Sequence, residues 1–169
     1  METNKPSTIF IVEDNEMFAE TMRVSLEKMG YVVHAFSSGE HMISFWEEDP
    51  DIILLDYFIE SAHGIAMNGD KVLRFIRRIS KSLPVIILTS NTDISEATAL
   101  LKQGAIDFIV KDEELHANLQ KTLTQVFDTL KIRREMARNK QLIKKYRQHV
   151  LVIVLAVALA AMTLLWLYS

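Results

Sequence analysis

The sequence predicts an α/β protein: a doubly wound, five-stranded parallel sheet with helices on both faces, followed by a long helix and a C-terminal transmembrane helix. Three observations carry this. Five short apolar runs alternate with helix-like stretches over residues 1–127, the pattern of βα units stacked into one parallel sheet. The runs are continuously apolar rather than alternating, as in Ile52-Ile53-Leu54-Leu55, which suits strands buried on both sides. The final stretch VLVIVLAVALAAMTLLWLY, residues 150–168, carries no charge.

Taken in order, residues 9–12 form a strand and 16–29 a helix stopped by Gly30. Residues 32–36 are the second strand, and 38–46 a short helix with Ser37 or Ser38 as its N-cap. Residues 52–55 are the third strand. A helix over 69–80 follows, with Val72, Leu73, Ile76 and Ile79 at helical spacing. After Pro84 comes a strand at 85–87, then a helix over 94–102 capped by Asp93 and ended by Gly104. Residues 108–110 are the last strand. A final helix starts near Asp112, Glu113 and Glu114, whose acids suit a helix N-terminus. Between Leu115 and Gln148 there is neither Pro nor Gly, so this helix is expected to run into the apolar tail, ~80 Å in all.

Charge divides the chain sharply. Residues 1–130 hold 11 Lys and Arg against 21 Asp and Glu, a net of −10; residues 131–147 hold 8 against the single Glu135, a net of +7. The modest overall charge of −3 hides an acidic globule, a basic neck and an apolar tail. There is no cysteine, which excludes disulfides, thiolate metal sites and cysteine nucleophiles. No apolar stretch follows the first charges, so the N-terminus does not read as a signal peptide.

The 19 residues from Val150 to Tyr168 would span ~28 Å as a helix, close to the ~30 Å hydrocarbon core. Trp166 and Tyr168 suit one interface; Lys144, Lys145 and Arg147 suit the cytoplasmic one. The expectation is a single-pass inner-membrane protein whose N-terminal domain is cytoplasmic. Only Ser169 lies beyond the span, so insertion would follow synthesis of the domain.

The chemistry lies at the strand ends. The first strand closes on Glu13-Asp14, the third on Asp56, the fourth on Thr89 and the fifth on Lys111. In a parallel sheet, ligands bind at the carboxyl ends of the strands, near the switch in strand order. Singly, each residue has a plainer reading: a helix cap, an Asx turn, a loop residue, a surface lysine. Jointly they supply a carboxylate nucleophile, an oxygen shell for a hard cation, and an ammonium and hydroxyl for phosphoryl oxygens. His34 reads as a strand residue and His41 as an exposed helix residue rather than metal ligands. His63 lies in the loop before Gly69 and is not assigned to the site, and Met22 and Met42 read as core.

These residues resemble the response-regulator receiver domain of two-component signalling, over residues 7–127. The matching motifs are Ile11-Val12-Glu13-Asp14-Asn15, Ile53-Leu54-Leu55-Asp56, Leu88-Thr89-Ser90 and Gly104-Ala105-Ile106-Asp107-Phe108-Ile109-Val110-Lys111. The resemblance implies the flavodoxin-like strand order 2-1-3-4-5, with Asp56 as phosphoacceptor. It implies a Mg²⁺ held by Asp14 and Asp56 directly, by Glu13 through water and by the backbone carbonyl of Phe58. Thr89 and Lys111 would bind the phosphoryl oxygens. Phe108 occupies the aromatic switch position, turning inward when Thr89 moves toward the phosphate. Two family prolines are absent: Glu60 stands four residues after the acceptor, and Asp112 follows the lysine. Gly69 aligns with the family glycine that opens the third helix, which lengthens the loop 60–68.

The functional expectation is a membrane-anchored phosphoacceptor protein rather than an enzyme with an external substrate. It would take its phosphoryl group from a histidine kinase or phosphotransfer protein and signal through protein contacts. The segments are a receiver domain at 1–127, a basic juxtamembrane helix at 128–148 and a transmembrane helix at 149–168. After Leu130 only neck and span remain, so no nucleic-acid partner is expected. The alternative is a phosphorylation-independent membrane scaffold or a phosphate sink. A phosphatase on a similar sheet would need an acid two residues after the nucleophile, where this chain has Phe58.

In the neck, Leu119, Leu123, Val126 and Leu130 follow a four-three-four spacing. Ile132, Met136, Asn139, Ile143, Tyr146 and Val150 repeat it after a phase shift. The second set resembles a short coiled coil with a buried Asn139, joining two copies as a parallel homodimer. The competing reading is a basic helix lying on anionic lipid.

Overall fold

The computed structural model describes residues 6–59, 69–90 and 94–167. Five parallel strands form one sheet in the order β2-β1-β3-β4-β5: β1 Thr8–Val12, β2 Val32–Phe36, β3 Ile52–Asp56, β4 Val85–Thr89 and β5 Asp107–Val110. The intervening helices are α1 Glu16–Lys28, α2 Gly39–Ser44, α3 Gly69–Ile79 and α4 Ile94–Lys102, and α5 Leu115–Leu167 follows. The expected α/β architecture and strand order are what the chain adopts. The chain divides into two units, Met1–Thr122 and Leu123–Ser169.

In the first unit, β1, β3 and β4 are buried along their whole length, which explains their unbroken apolar runs. Alternate side chains serve opposite faces of the sheet. Phe10, Val12, Ile53, Leu55, Val85 and Ile87 join Met42 of α2 and Val72, Leu73 and Ile76 of α3 in one core. The residues between them point to the other face, where Ala19, Met22 and Leu26 of α1 and Leu115 and Leu119 of α5 are buried. Edge strand β2 is only partly buried, with Val33 and Phe36 its buried residues, one on each face of the sheet.

Helix ends follow local chemistry. Asn15 caps α1 by accepting from the Phe18 amide, 3.1 Å, and Gly30 beyond it takes φ +93°. Ser38 caps α2 through the His41 amide, 3.1 Å. The helix expected to reach Trp46 stops at Ser44, whose hydroxyl donates to the His41 carbonyl at 2.7 Å. Phe45 leaves helical geometry, its ring lying 5.5 Å from that of Phe36, and Trp46–Glu48 forms a separate 3₁₀ turn. Asp112 precedes α5 and accepts from the Glu114 amide, 2.9 Å. The proposed Asp93 cap, Glu60, His63 and the rest of the 60–68 loop lie outside the described residues. His34 is a β2 residue edge-on to Phe10, and Met22 and Met42 are core, as expected.

In the second unit, α5 is the helix of the described residues long and apolar enough to cross a membrane, and its apolar window is not buried in the structure.

Candidate functional site

Strand register decides where the polar residues meet. Val12 pairs with Leu55, Asp56 with Leu88, and Thr89 with Val110. The carboxyl ends of β1, β3, β4 and β5 are therefore level. Backbone hydrogen bonds continue the ladder past the strands: Tyr57 donates to Leu88, 2.9 Å, and Lys111 to Thr89, 2.8 Å. Asp56 and Thr89, expected just beyond their strands, are their last residues. The order places β1 beside β3, at the reversal in winding where α/β sheets open a crevice.

Glu13, Asp14 and Asp56 each bring a carboxylate oxygen to within 4.8 Å of the others. Glu13 and Asp56 are almost completely buried, and Asp14 is half-buried. The Lys111 ammonium lies 2.6 Å from Glu13 Oε2 and 3.0 Å from Asp56 Oδ2. It also stands 4.5 Å from the centre of the Phe18 ring, a cation–π contact. The Asn15 amide donates to Glu13 Oε1, 3.3 Å, and the Phe58 amide to Asp56 Oδ1, 3.3 Å. Burial raises the Glu13 carboxyl above its ordinary value; the Lys111 hydrogen bond opposes this and the charge of Asp56 adds to it.

Thr89 is buried at the end of β4. Phe108 is half-buried against the main core. The Phe58 ring is exposed, 4.7 Å from that of Tyr57, so only its backbone faces the site. Gly69 has a structural reason to be glycine. A Cβ there would lie 2.6 Å from the Asp56 carbonyl oxygen and 2.9 Å from Tyr57 Cα, so its absence lets α3 start against the acidic strand end.

The roles of three residues escaped sequence reading. Asn15 both caps α1 and holds Glu13; its signal was an Asn directly before a helix. Phe18 sits in the first turn that this cap creates, which puts its ring beneath Lys111. Arg77 of α3 donates through Nε and Nη2 to the Gly104 carbonyl, 3.0 and 2.8 Å, and through Nη1 to that of Ser80, 3.1 Å. That tie fastens the turn before β5, the strand that delivers Lys111, and nothing local in the sequence marks it.

The family model for the response regulator receiver domain matches residues 9–124. The chain belongs to this family. It is 31% identical over 122 residues to Response regulator MprA of Mycolicibacterium vanbaalenii, covering 70% of this chain and 51% of that protein. It is 33% identical over 121 residues to YkoG of Bacillus subtilis, named as an uncharacterized transcriptional regulatory protein, covering 69% and 51%. The chain spans about half the length of these curated relatives. A solved response regulator receiver domain protein from Clostridium thermocellum shares the fold with a TM-score of 0.66 at 22% identity, covering 75% of this chain and 98% of that one.

Receiver domains bind Mg²⁺ at an acidic pocket, and this receiver has one. The donor set fits: all ligand atoms are oxygens, as a hard cation prefers. The three carboxylates also exceed the charge of the Lys111 ammonium set among them.

Proposed function

We propose that this receiver accepts a phosphoryl group on Asp56 from a histidine kinase or phosphotransfer protein while anchored to the inner membrane, with the domain on the cytoplasmic side. The observation that carries the chemical part is the convergence of Glu13, Asp14, Asp56 and Lys111 at level strand ends.

The Phe58 amide and the Lys111 ammonium hold the two oxygens of Asp56, which orients the carboxylate. An Asp56 oxygen attacks the phosphorus of a phosphohistidine. An acyl-phosphate P–O bond forms, the P–N bond breaks, and its electron pair stays on the imidazole, which takes up a proton. Mg²⁺ held by Glu13, Asp14, Asp56 and the Phe58 carbonyl would offset charge on the phosphoryl oxygens. Lys111 then moves from carboxylate to phosphoryl oxygen and the Thr89 hydroxyl donates to another. Phe108 follows Thr89 inward. Catalysis here is positioning and charge neutralisation. Output passes through protein contacts.

The anchor is supported by the uncharged stretch 150–168, by the exposure of its described side chains and by the basic residues before it. Alkaline carbonate extraction of membranes should leave the chain in the pellet; release into the supernatant refutes the anchor.

The chemical reading is tested on the full chain in vesicles, with Mg²⁺ and acetyl phosphate or beryllofluoride. Wild type should form the adduct and Asp56→Asn should not. Folded wild type that forms none with Mg²⁺ present would overturn the reading and leave the scaffold alternative.

A further inference from the structure

We propose that the basic neck of α5 pairs with a second copy of this chain as a parallel, in-register coiled coil whose orientation is set by the charges flanking its apolar stripe. Ile132, Met136, Asn139, Ile143, Tyr146 and Val150 recur at alternating spacings of four and three along an unbroken helix. All of these side chains are exposed; Ile143 is 68% and Tyr146 75% accessible. The spacing places Met136, Ile143 and Val150 at a positions and Ile132, Asn139 and Tyr146 at d positions.

The flanks are not alike. The e positions are Arg133, Lys140 and Arg147, all basic; the g positions are Asp128, Glu135, Leu142 and His149. A parallel pair brings each g residue beside the e residue five places further along the partner helix. Asp128 then meets Arg133, Glu135 meets Lys140, and Leu142 covers the stem of Arg147. Each attractive pair occurs twice by symmetry. An antiparallel pair would instead set the three basic e residues against their own copies. Asn139 is the one amide in the seam, and it matches itself only when the two helices are in register. The remaining basic residues, such as Lys131, Lys144 and Lys145, fall on the outer face, where they leave the seam free of unpaired charge.

A lipid-lying helix explains the positive charge but not its asymmetry about the stripe, nor acids at two successive g positions. The seam deepens the signalling reading by naming a second copy as a partner. It relies on the anchor for a shared orientation and a high local concentration, not for its contacts.

The native chain has no cysteine, so single cysteines report cleanly. In the full chain reconstituted in vesicles of neutral lipid, oxidation should cross-link Met136→Cys and Asn139→Cys strongly and the outer-face Gln141→Cys and Lys145→Cys weakly. Adding Glu135→Lys should weaken association about tenfold by turning two symmetric attractions into repulsions. Adding Lys140→Glu to that variant should restore it. Equal cross-linking round the helix, none at all, or no rescue by the double variant overturns the proposal. So does protection of Ile143→Cys from an aqueous thiol reagent in anionic vesicles without cross-linking, the signature of a helix lying on lipid. Heptad-patterned cross-links in a chain that carbonate releases would retain the seam and discard the anchor. Cross-links unchanged in Asp56→Asn would separate the seam from the phosphoryl chemistry.

Discussion

The acidic pocket and the neck are both built from charged residues beside apolar ones, but only the pocket is finished within one chain. Lys111 reaches Glu13 across 98 positions of sequence at 2.6 Å, and both carboxylates it touches are buried. Along the neck, the repeating residues are three and four positions apart, and their apolar side chains face solvent. A pocket closed by long-range contacts holds its groups against their own repulsion. A stripe made by local periodicity has no such closure and calls for a second surface.

Breaking that comparison starts with Lys111. Lys111→Met leaves two buried carboxylates facing each other, and the receiver should lose about 3 kcal/mol of unfolding free energy. Urea titration with and without Mg²⁺ checks this, and the cation should stabilise the variant more than wild type. A receiver of unchanged stability would mean that the pocket does not depend on its ammonium. Next is Gly69→Ala. A new Cβ 2.6 Å from the Asp56 carbonyl oxygen must displace backbone, at about 2 kcal/mol, and adduct formation at Asp56 should slow. Equal stability and rate would show that α3 can retreat freely.

Arg77→Met removes the charged donors from the Gly104 carbonyl and should destabilise by about 1.5 kcal/mol, read by thermal unfolding. The smallest effect belongs to the neck. Ile143→Ser should shift receiver unfolding by under about 0.5 kcal/mol while abolishing cross-linking through Asn139→Cys. If receiver stability fell with it, the two regions would not be the independent constructions the comparison makes them.

Much of the pocket was legible because parallel strands announce themselves. Unbroken apolar runs mark buried strands, and a polar residue at the end of each run marks the ligand-binding edge. Glu13, Asp14, Asp56, Thr89 and Lys111 were found that way. Asn15, Phe18 and Arg77 were not. Asn15 had a local signal, an Asn directly before a helix, whereas an aromatic ring reaching a distant lysine and an arginine reaching a carbonyl 27 residues away act through three-dimensional placement, and composition carries no trace of it. The end of α2 at Ser44 was misplaced because the Phe45 ring, packed on Phe36, outweighs helical propensity there.

Sequence alone determined the element order, the acidic, basic and apolar segments, the strand-end residues that carry chemistry, and the heptad of the neck. Each is written in local periodicity or in a residue's position relative to a strand or helix end. Only the tertiary structure decided that the strand ends stand in level register, that Lys111 bridges Glu13 and Asp56, and that α3 begins against the Asp56 backbone. Those facts depend on pairing between segments tens of residues apart. Burial on both faces and backbone hydrogen bonding select that pairing from many the same strands could make.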